Sequence, residues 1–108
     1  MDKDNETGVF TKEEIAEKLE KYDSWVFDEE SGKVLSGFEL EDYDDCISFA
    51  SDVAEIAEEI EHHPDILIHD YKFVTIFTYT NDAKGITQRD FDLIEKIESE
   101  LDGMTEEE

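Results

Sequence analysis

Three histidines set among many carboxylates are the residues of this chain best suited to moving protons. All three, together with the single proline, fall within residues 58–71, EEIEHHPDILIHDY. His62 and His63 are adjacent, Glu58 precedes them and Pro64 follows. Imidazole is the side chain whose ordinary pKa lies nearest neutrality, so the pair is the natural candidate for general acid–base work. A plainer reading makes them cations in the last turn of a helix, where the macrodipole favours imidazolium. A metal site is not expected: adjacent side chains at a helix end diverge, whereas a spacing of four places two ligands on one face. His69 reads as a structural or surface residue.

The elements that must position this pair follow from periodicity. Asp42 caps a helix, with Asp45 at its third position. Cys46, Phe49, Ala50, Val53, Ala57 and Ile60 recur at spacings of three and four and form its apolar stripe. The pattern runs into the histidines, and Pro64 prevents its continuation. A third strand follows, in which Ile66 and Ile68 alternate with Leu67, His69 and Tyr71. The fourth strand, residues 73–80, sets Val74, Ile76 and Thr78 on one face and Phe73, Thr75, Phe77 and Tyr79 on the other. That second face is apolar enough to suggest cover by a partner subunit.

Upstream, Thr11 and Glu14 form a capping box ahead of a helix with an Ile15, Ala16, Leu19 and Tyr22 face. Residues 25–27 and 34–40 read as a hairpin closed by a turn at residues 30–33. Gly32 is available there for positive φ, and Gly37 marks a bulge or a close approach. Downstream, residues 81–85 form a loop and Thr87 with Asp90 forms a second capping box. Phe91, Ile94, Ile97 and Leu101 face inward along a helix expected to end at Gly103. The order helix, strand, strand, helix, strand, strand, helix predicts an α+β fold. It is a two-layer domain with a four-stranded antiparallel sheet and three helices on one face. Residues 1–108 form a single domain, with loose tails at 1–8 and 104–108.

Composition narrows the setting. The 108 residues carry 33 acidic and 9 basic side chains, a net charge of -24, yet 38% are hydrophobic and 11% aromatic. Periodic apolar residues under an acidic shell suggest a folded protein adapted to salt, which screens the repulsion between carboxylates, with an ordinary acidic protein as the alternative. Such a field repels nucleic acid and anionic membranes. No stretch has the roughly 18 apolar residues that a membrane span requires, and no apolar leader opens the chain, so a cytoplasmic protein is expected. Cys46, the single cysteine, precludes an intrachain disulfide and reads as a small core residue.

One family shares this constellation. Glu58, His62-His63-Pro64, Tyr71, the Thr80-Asn81-Asp82 run and Asp90 resemble the signature of the pterin-4a-carbinolamine dehydratases. The flanking Trp25, Leu35, Phe38, Asp42-Tyr43, VAEIAEEIEHHPD and TNDAKGITQRDFDLIEKIE extend the similarity from Trp25 to about Glu98. The resemblance implies dehydration of a 4a-hydroxytetrahydropterin to the quinonoid dihydropterin without metal or organic cofactor, in homodimers or homotetramers. His62 and His63 would be the acid–base residues and Asp90 would hold and polarise the site. Glu58, Pro64, Asn81 and Asp82 would line it. Asn81 stands where the family has a third active-site histidine, and asparagine does not titrate near neutrality. The alternative is therefore a catalytically weak or silent relative that serves as a protein-binding or assembly scaffold. The enzymatic reading expects the histidine pair and Asp90 to converge on one hollow sized for a flat bicyclic ring.

Overall fold

The structure is a computed structural model that describes residues 8–106, with side chains to residue 100. The elements are α1 (Lys12–Leu19), β1 (Val26–Asp28), β2 (Lys33–Glu39), α2 (Tyr43–Ile60), β3 (Asp65–His69), β4 (Phe73–Thr78) and α3 (Gln88–Glu106). The strands form one antiparallel sheet in the order β1-β2-β4-β3, and the three helices make the second layer. This is the α+β arrangement expected from the order of elements. No helix among the described residues is long and apolar enough to cross a membrane.

Local chemistry accounts for where the helices begin. The Thr11 hydroxyl accepts from the Glu14 amide at 3.1 Å, and the Thr11 amide donates to Glu14 Oε1 at 2.8 Å. Asp42 Oδ1 accepts from the Asp45 amide at 2.9 Å and starts α2. Cys46, Phe49, Val53, Ile56 and Ala57 are buried along α2, and Phe91, Leu93, Ile94 and Ile97 along α3. Both helices meet the sheet through Val34, Val74 and Ile76, each fully buried. Burial, with Asp42 and Asp45 nearby, pushes the Cys46 thiol up, as suits a core residue rather than a nucleophile.

Several boundaries differ from the sequence reading. Both strands of the first hairpin are offset by one residue, and Trp25, ahead of β1, turns inward to 2% exposure with its indole donating to Glu98 Oε2 at 2.8 Å. Gly37 pairs with Thr75 in an unbroken ladder, so no bulge occurs there. Tyr71 is not in a strand: Asp70 and Tyr71 have φ of 50° and 56°, and the chain reverses between β3 and β4. Gly103 does not end α3, which continues to Glu106. A glycine within a helix costs only about 1 kcal/mol and stops it only when a left-handed cap forms there. The remainder of the expected tails, residues 1–7 and 107–108, lies outside the described residues.

Candidate active site

The histidine pair follows α2 rather than occupying its last turn. The helix ends at Ile60, and Glu61 adopts the left-handed region at φ 57°. The Glu61 amide then donates to Glu58 O at 3.3 Å and the His62 amide to Ala57 O at 3.1 Å. These two bonds make a Schellman cap closed by a glutamate in the place glycine usually takes. The backbone has left the helix by His62, so the two imidazoles diverge. Pro64, half-buried, leads directly into β3.

His62 turns inward. It is 6% exposed, and its Nε2 lies 2.7 Å from Oδ1 of Asp90, which is fully buried. Asp90 sits in the first turn of α3. There it receives the Thr87 amide on Oδ2 at 2.9 Å, the Thr80 hydroxyl on Oδ2 at 2.7 Å and the Thr78 hydroxyl on Oδ1 at 2.5 Å. The Thr87 hydroxyl, 2.8 Å from that of Thr80, extends the network. A carboxylate accepts and does not donate, so the imidazole bond to it is made by Nε2–H. Nδ1 is the ring nitrogen that stands outside this bond.

His63 turns outward. Its Nε2 lies 3.0 Å from Glu58 Oε2, and both side chains are mostly exposed. It lines a hollow of about 90 Å³ with Lys33, Asp65, Phe77, Tyr79 and Asn81. Neither His62 nor Asp90 lines that hollow, so the expected single cavity between the pair and Asp90 is absent: Asp90 lies behind His62 and bonds it directly. At its wall the Lys33 ammonium pairs with Asp65 Oδ2 at 3.1 Å. A second hollow of about 400 Å³ adjoins the first and shares Lys33, Asp65 and Phe77 with it.

Of the residues singled out in the sequence, the structure joins His62 to Asp90, His63 to Glu58, and sets Asn81 beside His63. Asp82 instead binds Arg89, its two oxygens 2.9 and 3.3 Å from one guanidinium nitrogen. That pair ties the loop carrying Asn81 to the start of α3. The Thr87–Asp90 box forms only in part: Asp90 accepts the Thr87 amide, while the Thr87 hydroxyl accepts the Arg89 amide at 3.2 Å. Thr78 and Thr80 escaped the sequence reading as site residues. The signal was present, since they extend the inward-facing row of Val74 and Ile76 with two hydroxyls where apolar side chains would be expected.

Comparison with known proteins places this chain in a family. Residues 9–100 match the family model described as pterin 4 alpha carbinolamine dehydratase. A Herpetosiphon aurantiacus protein is 37% identical over 83% of this chain and 91% of its own length. One from Sulfurisphaera tokodaii is 36% identical over 84% and 95%, and one from Sinorhizobium medicae 32% identical over 82% and 84%. All three are provisionally named pterin-4-alpha-carbinolamine dehydratases. A crystal structure of a Brucella melitensis transcriptional coactivator/pterin dehydratase has the same fold, with a TM-score of 0.77 at 24% identity over 84% of this chain and 96% of that one. With the family model spanning most of its length and relatives above 30% identity, the chain belongs to the pterin-4a-carbinolamine dehydratase family.

Proposed function

We propose that this protein dehydrates a 4a-hydroxytetrahydropterin to the quinonoid dihydropterin, in a salt-rich cytoplasm and as a homodimer or homotetramer. The observation that carries the reading is the 2.7 Å bond from His62 to a buried Asp90 that accepts three further hydrogen bonds. Four donors on one carboxylate hold an imidazole rigidly, with its free nitrogen as a base.

The reaction moves two protons and breaks one bond. The histidine pair takes the proton of pterin N5, and the nitrogen electrons form the C4a–N5 double bond. The C4a–O bond breaks, and the leaving hydroxyl takes a proton from His63 to depart as water. Glu58 orients His63, and Asn81 donates to or accepts from the ring at the hollow they share. The protons then exchange with solvent, so no redox partner or cofactor enters the balance.

The test is a dehydration assay in molar KCl with the wild type and a His62→Ala, His63→Ala double variant. Loss of the catalysed rate in the double variant is expected, and an unchanged rate would refute the proposal.

Asn81 favours a second reading, a weak or silent relative that acts as a scaffold, because an amide does not replace a third acid–base group. A positioned group of that kind is worth about 10²- to 10⁴-fold. A gain of that size in Asn81→His, from a wild type near the uncatalysed rate, would select this reading. The apolar outer row of the sheet supports assembly: Leu35, Phe77 and Tyr79 are half-buried and Leu67 is 49% exposed.

A further inference from the structure

The helix layer holds a hollow that the histidines do not reach. It measures about 290 Å³ and lies between the end of α1 and the first turns of α3. Glu17, Lys18, Lys21 and Tyr22 line one side of it. Phe91 and Glu95, four residues apart on one face of α3, line the other. Phe91 is 4% exposed and gives the hollow an apolar floor.

Its charges have not closed on one another. Lys12, Lys33, Lys72, Arg89 and Lys96 each hold a carboxylate. Lys18 and Lys21 hold none among the described residues, although the chain has 33 acidic side chains and Glu17 and Glu95 line the same hollow. The helix stops at Leu19, so Lys21 has left the register that would set it over Glu17, four positions earlier. The Lys18 ammonium instead lies over the rings of Phe10 and Phe91, 4.8 and 5.8 Å from their centroids. Burial, then the charges of Glu95 and Glu98, push the Tyr22 phenol up, so it remains a donor. Glu98 is engaged by the Trp25 indole, which leaves Glu95 as the carboxylate facing the lysines across the hollow.

Two ammonium groups and a phenol on one side, a carboxylate on the other and an aromatic ring between them complement a zwitterion with an apolar body. A chain of charge -24 repels a simple anion, whereas a molecule of zero net charge escapes that field. We infer that this hollow binds a free α-amino acid with an apolar side chain, its carboxylate on Lys18 and Lys21, its ammonium on Glu95 and its side chain on Phe91. The volume stands at the lower end of the roughly 300–1,000 Å³ that ligand sites span, which suits a ligand of this size. The inference does not rest on the dehydratase reading, because neither His62, His63 nor Asp90 lines this hollow.

The test is a titration of the whole chain followed by amide NMR in about 1 M KCl, where the screening length of about 3 Å removes the distant field and leaves contacts. The probes are L-leucine, isocaproate, which lacks the ammonium, and isopentylamine, which lacks the carboxylate. Leucine should saturate shifts at residues 17–22 and 88–95 with a Kd of about 1 mM, and each analogue should bind about tenfold more weakly, the loss of one charged hydrogen bond. A Lys18→Gln, Lys21→Gln variant should weaken leucine about tenfold without weakening isopentylamine, and Glu95→Gln should weaken leucine about tenfold without weakening isocaproate. No saturable shift at these amides would overturn the site. Isocaproate binding as tightly as leucine would reduce it to an anion site, and isopentylamine doing so would reduce it to attraction by the acidic shell; either result overturns the inference.

Discussion

His62 and His63 are neighbours in the chain and opposites in setting. Each has one imidazole nitrogen within 3.0 Å of a carboxylate oxygen, but the His62–Asp90 pair is buried while the His63–Glu58 pair faces water. Asp90 is gripped by three donors besides the imidazole; the side chain of Glu58 has His63 as its partner. A buried pair cannot trade its partner for water, so its geometry is fixed and breaking it is costly. An exposed pair contributes about 0–1 kcal/mol and is weakened by salt. The rigid imidazole is therefore His62, and the water-exposed one is His63.

Breaking the carboxylates separates the two pairs most widely. Asp90→Ala removes the acceptor that Thr78, Thr80, the Thr87 amide and His62 share and should cost about 3–5 kcal/mol. Glu58→Ala should stay within about 0.5 kcal/mol of wild type. Denaturant unfolding in molar KCl measures both, and similar losses would show that burial does not distinguish the pairs.

Removing the imidazoles singly probes the same asymmetry in activity. His62→Ala and His63→Ala should each lower the dehydration rate by about 10²- to 10⁴-fold. Only His62→Ala should also lower stability, by about 1–3 kcal/mol, the cost of stranding a buried polar group. Equal melting temperatures for the two variants would contradict the buried role.

The hinge between the pairs offers a smaller effect. Glu61 holds a left-handed conformation at φ 57° that costs a non-glycine residue about 1–2 kcal/mol. Glu61→Gly should therefore raise stability by about 1 kcal/mol while leaving the Schellman bonds intact, as thermal unfolding would show. A fall in stability would mean that the glutamate side chain itself supports the turn.

Salt gives the finest distinction. Glu58→Gln should slow turnover about twofold to fivefold at 0.1 M KCl, and the difference should vanish above 1 M, since an exposed pair is worth no more than about 1 kcal/mol. A deficit that persists in 2 M KCl would place Glu58 in direct contact with substrate.

Much of this was readable from residue types alone, for reasons that differ by element. The stripe from Cys46 to Ile60 and the alternation Val74, Ile76, Thr78 specify a helix and a strand because each buries one face. Thr11 and Asp42 mark helix starts because their side-chain oxygens bind amides only a few residues on. Boundaries failed where a contact distant in sequence decides them. Trp25 leaves the strand to meet Glu98; Tyr71 differs for a local reason, lying at positive φ in the tight turn between the paired His69 and Phe73. Gly103 had no local cap to give it a stopping role. The site divides in the same way: the histidines, Glu58, Asn81 and Asp90 are visible as a pattern, while the roles of Thr78, Thr80 and Arg89 are visible only once β4 and α3 lie side by side.

The amino-acid sequence by itself determined the acidic shell, the order of seven elements and the residues that can move a proton, because these depend on side-chain chemistry and short-range periodicity. Only the tertiary structure decided which imidazole is buried and which is exposed. A single left-handed residue at Glu61 sends His62 toward a carboxylate 28 positions away and His63 toward solvent, and nothing in their identical side chains distinguishes the two.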